Sequence, residues 1–281
     1  MEYYGHTVIY CMNITDVDDK IQNKLKLSGL SHKSLIDKYE KEFFDDMKSI
    51  NIKLPTSIIR VSENIDVIQQ YILQILKNGF AYISQGSIYI DSEAYINKGL
   101  NWDNFGCCNN ELCDTHDNTI HSNEKRNNRD FALWKKAEED DVVKYSSEIF
   151  GIKELGKPGW HIECSAMCNK IFGSKLMLHS GGIDLIFPHH NNELIQGNAH
   201  SSSSINIFIH SGHLHIEGCK MSKSLKNFIT IREVLATKIN SRQLRVMFLL
   251  HNYNDQLDYS DGIISNAISF DEILSNYFAM F

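Results

Sequence analysis

Between Trp134 and Phe228, short apolar runs such as Leu176-Met177-Leu178 and Ile205-Asn206-Ile207-Phe208-Ile209 alternate with helix-spaced segments, and Gly-Gly, Pro and Gly mark the changes. A chain that alternates in this way returns each strand to one sheet through a covering helix, so the pattern predicts an α/β domain with a parallel sheet. Upstream, Thr7-Val8-Ile9-Tyr10-Cys11-Met12 reads as a strand that breaks at Asn13 into an acidic loop. Three- and four-residue apolar spacing then predicts helices from Leu35 to Ile50 and from Ser62 to Lys77, joined at Leu54-Pro55 and with Gly79 capping the second. Residues 81–90, interrupted by Gln85-Gly86, have hairpin alternation. After Thr230 the spacing is helical to the last residue.

Composition narrows the function classes. With 42% hydrophobic residues the 281-residue chain can bury a proper core. It holds no apolar run of the ~18 residues that cross a bilayer and no secretory signal pattern, which points to a soluble intracellular protein without membrane partners. Seven unevenly spaced cysteines suit a reducing compartment, the cytoplasm, better than a disulfide framework. A net charge of -7 argues against a chain whose main task is coating nucleic acid. Residues 97–130 are rich in Asn, Asp, Ser and His and read as a surface insertion rather than core. Cys107, Cys108, Cys113, His116 and His121 lie there, and the adjacent pair fits finger spacings poorly.

Two stretches carry chemistry. In Trp160-His161-Ile162-Glu163-Cys164 and Phe187-Pro188-His189-His190-Asn191-Asn192-Glu193, Pro188 suits a first helical turn, and His189 and Glu193 then share a face at i and i+4. A thiolate, an imidazole and a carboxylate would give zinc three protein ligands. Spacing alone equally allows Cys164 as a buried small hydrophobe and His189 as a core histidine. Lys220-Met221-Ser222-Lys223-Ser224 is either a solvated basic loop or a mobile pair of cations that closes over a triphosphate.

Those stretches, together with residues 10–21, Asp130-Phe131-Ala132-Leu133-Trp134-Lys135, the Pro158 to Met167 and Gly181 to His190 segments, and Gly212 through Phe228, resemble cysteinyl-tRNA synthetases in the same order. Phe44 to Ser49 and Cys219 look like the eukaryotic cytosolic branch. The resemblance implies a Rossmann-like parallel-sheet catalytic domain over 1–236, with an α+β connective insertion at about 81–157, and the start of a helical tRNA-stem-contacting domain over 237–281. It implies Cys164, His189 and Glu193 as zinc ligands, with His190 beside them and not a ligand. By the same likeness Thr15, Trp160 and Asp184 bind the amino acid, Gly181, Gly182, Asp184 and Lys223 contact ATP, and Lys220 and Lys223 are catalytic.

The expected activity is ligation of cysteine to its tRNA with ATP and magnesium, through cysteinyl-adenylate and without editing. The competing expectations are a cysteine ligase with an amino-sugar acceptor and a non-catalytic binding fragment. The family's fourth zinc-ligating cysteine and its His-Ile-Gly-His motif have no match here, and Gly5-His6-Thr7 does not replace the latter. Truncation at both ends is therefore the expectation, with weak zinc binding and no anticodon-reading region. Ser180, Asn191 and Lys157 depart from the family's usual glycine, acidic residue and arginine.

Overall fold

A computed structural model of the protein describes residues 1–106, 123–222, 227–237 and 239–281. In chain order the first elements are β1 (Cys11–Ile14), α1 (Asp19–Ser28), α2 (His32–Ser49), β2 (Ser57–Arg60), α3 (Ile65–Lys77), β3 (Ala81–Ser84), β4 (Ser87–Ile90) and α4 (Ser92–Asn97). Next come β5 (Ala132–Lys136), β6 (Gly156–Pro158), α5 (Trp160–Phe172), β7 (Lys175–Gly182), α6 (Asn191–Ser201) and β8 (Ser204–Ser211). The chain closes with β9 (Leu214–Ile216), β10 (Cys219–Lys220), α7 (Ile231–Thr237), α8 (Ser241–Leu249), β11 (Leu257–Tyr259) and α9 (Asp261–Ala279). No described helix is long and apolar enough to cross a membrane.

Two compact units share these elements. The first comprises Met1–Ile36, Pro55–His179 and Leu185–Phe208. Here β1 and β2 pair in parallel, from Cys11 opposite Ser57 to Ile14 opposite Arg60. Strands β3 to β6 form a four-stranded antiparallel sheet. Helix α3 shows why the core forms: Ile68, Tyr71, Ile72 and Ile75 recur at three- and four-residue steps and lie within one buried cluster with Ile88, Ile90, Leu133, Trp134, Ile162 and Ala166. The helix stops as the sequence predicts. Gly79 adopts a left-handed φ of 80°, its N–H donates to the Leu76 carbonyl, and that of Phe80 donates to the Ile75 carbonyl, a Schellman closure.

The second unit comprises Asp37–Leu54, Ser180–Asp184 and Ile209–Phe281. Its strand β9 pairs antiparallel with β10 and parallel with β11. Ile50, Val234, Leu244, Met247, Leu257 and Ile264 make its core. A reciprocal capping box between Asn240 and Gln243 starts α8.

Three expectations change. The stretch after Thr230 is not helical throughout, because β11 pairs in parallel with β9. The first strand spans Cys11–Ile14 rather than residues 7–12, because pairing begins only where β2 offers a partner, and Ile9 is left exposed. The polar stretch 97–130 is not all surface: Leu100 and Trp102 pack on the main core, and Asp130 is buried. Its carboxylate accepts from the backbone and hydroxyl of Ser92, the Tyr82 hydroxyl and the Asn127 N–H, so burial is matched by hydrogen bonds. Cys107, Cys108, Cys113, His116 and His121 lie outside the described residues.

Candidate metal centre

Helix α5 carries the first candidate ligand. Its N-cap, Gly159, donates its N–H to the Leu133 carbonyl at 2.9 Å and lies so close to the Ala132 carbonyl that a Cβ would overlap it. This contact fixes the helix start against β5 and sets where Trp160 and Cys164 emerge. The second and third ligands come from the helical turn that begins at Pro188, after Phe187 in an extended conformation (φ -134°, ψ 131°), and runs on into α6. His189 and Glu193 therefore share one face, as their spacing predicts.

The three side chains converge: the Cys164 sulfur, a His189 ring nitrogen and a Glu193 oxygen all lie within 4.8 Å of one another. Tetrahedral zinc with Zn–S of ~2.3 Å and Zn–N or Zn–O of ~2.0–2.2 Å holds its ligand atoms roughly 3–4 Å apart, so this thiolate, imidazole and carboxylate set fits zinc after small side-chain adjustments. A second group, His179, His190 and Glu193, meets the same 4.8 Å limit. His190, read from the sequence as a neighbour and not a ligand, thus stands within ligand range of the shared carboxylate.

Glu193 is the hub. Its Oε1 is 3.1 Å from Nε2 of both His179 and His189. Burial pushes this carboxyl up, but the hydrogen bonds from the two imidazoles outweigh it and hold Glu193 well below the usual carboxylate range. Burial pushes His179 down, and its bond to Glu193 reverses that and raises it. Burial, reinforced by the negative Glu193, raises the Cys164 thiol far above its ordinary value, so a cation is what would make a thiolate stable there. Glu163 is buried, its Oε2 has no hydrogen-bond partner among the described residues, and burial with nearby Asp18 and Asp16 lifts its carboxyl well above the normal range.

Aromatic rings wall the cluster. Trp160 lies 4.7 Å from the rings of His161 and His189, centroid to centroid. His161 Nδ1 is 2.9 Å from His189 Nδ1. Phe208 packs 5.4 Å from His190 and 5.5 Å from His179. Asn191, the departure from an acidic residue, accepts from the Asn104 backbone at 2.9 Å and donates to the Trp102 carbonyl at 3.1 Å, which clips the polar segment to this helix.

Sequence reading missed His161 and His179 as members of the cluster. His161 had a signal, since it adjoins Trp160 inside the motif. His179 had none beyond its place before Ser180-Gly181-Gly182, because a histidine in a strand has no local pattern that names its partner. Thr15 directly follows β1 and is partly buried.

In the second unit the candidate phosphate-side residues meet separately. Asp184 lies 3.8 Å from Lys220 Nζ and 4.0 Å from His213 Nδ1. A Cβ on Gly182 would stand 2.5 Å from Asp184 Oδ1, so only glycine lets that carboxylate fold back there. The Gly181 carbonyl faces the Ser211 hydroxyl at 3.5 Å. Lys223 lies outside the described residues.

Comparison with known proteins completes the picture. Residues 1–269 match the family described as tRNA synthetases class I (C) catalytic domain. The chain is 43% identical to the cytoplasmic cysteine–tRNA ligase of Dictyostelium discoideum, over 98% of this chain and 42% of that protein. It is 42% identical to the cysteine–tRNA ligase of Acanthamoeba polyphaga mimivirus, over 95% of this chain and 56% of the relative. It thus spans about half the length of the curated relatives it matches. Among solved structures, Mycobacterium tuberculosis methionyl-tRNA synthetase in complex with methionyl-adenylate aligns with a TM-score of 0.62 at 15% identity, covering 92% of this chain and 60% of that one. That likeness shows a shared α/β fold.

Proposed function

The chain belongs to the class I (C) tRNA synthetase catalytic-domain family, and from that premise we propose that it is the part of a cysteine–tRNA ligase that activates cysteine with ATP and delivers it to cysteine tRNA. The observation that carries this reading is the convergence of Cys164, His189 and Glu193 within 4.8 Å. These residues would hold zinc. When bound, that ion supplies a thiophilic Lewis acid that takes the substrate's sulfur and takes serine's hydroxyl poorly. Direct reading of the distinguishing atom makes a separate editing step unnecessary.

The protein's own groups do the rest. Trp160 and Thr15 shape the side-chain pocket, and His179 keeps Glu193 ionised and oriented. Gly181, Gly182 and Asp184 bind the adenylate, and Asp184 accepts from its hydrogen-bond donors. The cysteine carboxylate attacks the α-phosphorus in line and pyrophosphate leaves, giving cysteinyl-adenylate. Lys220 and Lys223 offset the charge that builds on the phosphate oxygens as that bond breaks. A terminal ribose hydroxyl of the tRNA then attacks the mixed anhydride and AMP departs. Positioning and charge stabilisation account for both steps. A cytoplasmic setting follows from the same reading.

Zinc affinity and cysteine-dependent pyrophosphate exchange test it together. Structural zinc sites bind with about 10–16 kcal/mol over four ligands, so one ligand contributes roughly 3 kcal/mol and Cys164→Ser should weaken zinc by about a hundredfold or more. Equal zinc affinity in Cys164→Ser, or metal loss in the variant with exchange just as fast for serine as for cysteine in the parent chain, would refute the proposal.

A further inference from the structure

One polar contact links the candidate metal centre to a part of the chain that has no assigned role. The Asn13 side-chain amide donates from Nδ2 to the Cys164 sulfur at 3.5 Å, across 151 residues of sequence. Among the described residues its side chain makes no other hydrogen bond, so it has no competing structural task that would explain the contact.

Both partners ride on fixed backbone. Asn13 sits on β1 in register with Ile59 of β2. Just beyond it, buried Asp16 accepts from the Ser62 N–H at 2.9 Å and from the Ser62 hydroxyl at 2.5 Å, tying down the end of the strand. Cys164 is set by the close approach of Gly159 to β5. The contact therefore joins two side chains whose backbones are held, Asn13 itself being exposed. Strand periodicity also puts Asn13 on the same face as Thr15, two residues on, which is proposed to shape the amino-acid pocket.

Charge gives the contact its meaning. A divalent ion held by a Cys164 thiolate, a Glu193 carboxylate and a neutral His189 is already balanced by two negative ligands. A substrate thiolate in the remaining position adds a third. An N–H donor on the Cys164 sulfur withdraws part of that ligand's charge and fixes its rotamer, which leaves the ion more able to accept the second sulfur.

We propose, resting on the zinc reading above, that Asn13 is a positioning and specificity-determining residue: its amide orients the Cys164 ligand and tunes the metal toward a substrate thiolate. Partners of this kind change metal affinity by about 10–100-fold when removed.

The test uses the whole chain, loaded with cobalt(II) as a spectroscopic probe and separately with zinc in competition with a chelator. Asn13→Ala should weaken zinc about tenfold, move the sulfur-to-cobalt charge-transfer band to lower energy because the sulfur has lost a donor, and raise the KM for cysteine in pyrophosphate exchange without changing that for ATP. Asn13→Asp, which keeps the shape but puts an acceptor beside the sulfur, should do the same more strongly, and it decides the matter if the alanine variant folds poorly. Unmoved band, affinity and KM in a chain whose Cys164→Ser variant does lose metal would overturn the role of Asn13 and leave the metal reading standing. Unchanged affinity in Cys164→Ser would instead remove the metal reading, and this inference with it.

Discussion

Asp130→Asn should unfold the first unit more readily, and the cost can be worked from its four contacts. Oδ1 accepts from the Ser92 N–H at 3.0 Å and the Ser92 hydroxyl at 2.5 Å, while Oδ2 accepts from the Tyr82 hydroxyl at 2.7 Å and the Asn127 N–H at 3.0 Å. Asparagine turns one of these oxygens into a donor. Whichever oxygen is lost, a hydroxyl can rotate to accept, but the facing backbone N–H cannot, so one donor is orphaned at about 1–3 kcal/mol. The remaining bonds also lose their ionic character, about 1 kcal/mol more. The sum, about 3 kcal/mol, is a large fraction of the 5–15 kcal/mol typical of a domain.

Tryptophan fluorescence in urea is the natural assay, since all three tryptophans, Trp102, Trp134 and Trp160, belong to the first unit. At a slope of about 2–3 kcal/mol per molar the midpoint should fall by about 1 M. A change below about 0.5 kcal/mol would show that Asp130 is not the anchor its contacts imply. The effect should reach the metal centre. Phe131, next in sequence, packs edge-on at 5.6 Å against His161, which touches His189.

Two further substitutions probe other links. Gly159→Ala places a methyl against the Ala132 carbonyl, a backbone wall that cannot rotate away, so a loss of about 3 kcal/mol in urea unfolding and weaker zinc are expected together, and normal stability would refute the close-approach argument. Lys157 bridges Asp19 at 2.7 Å and Asp141 at 2.8 Å. For Asp19, burial raises the carboxyl, but the Lys157 hydrogen bond and charge outweigh it and lower it below its ordinary 3.8. A depressed carboxyl stabilises the fold above its ordinary value, and that share disappears as pH falls through the lower, folded value. The stability gap between the parent chain and Lys157→Met should therefore be widest near neutrality and shrink below pH 3.8, whereas a gap independent of pH would exclude the bridge to Asp19 as its source.

Short-range features were legible in the sequence because their partners lie within a few residues. Three-and-four spacing gave α3 its buried face, and Gln85-Gly86, with φ of 49° and 90°, gave the turn between β3 and β4. The i and i+4 placement of His189 and Glu193 followed from helical pitch alone. The resemblance of motifs carried the family, which local spacing could not have separated from a buried cysteine and a core histidine.

What only the tertiary structure decided are the meetings between distant groups. Cys164 meets His189, 25 positions further along the sequence, His179 finds Glu193 from a strand 14 residues upstream, and Asn13 reaches the same sulfur across 151 residues. Asp130 could be called surface by composition and still be buried, because four donors arrive from three other positions. Local sequence fixes dihedral preference and which face of an element is apolar. Which faces then meet depends on how whole helices and strands pack, a choice spread over the entire core and carried by no single stretch of residues.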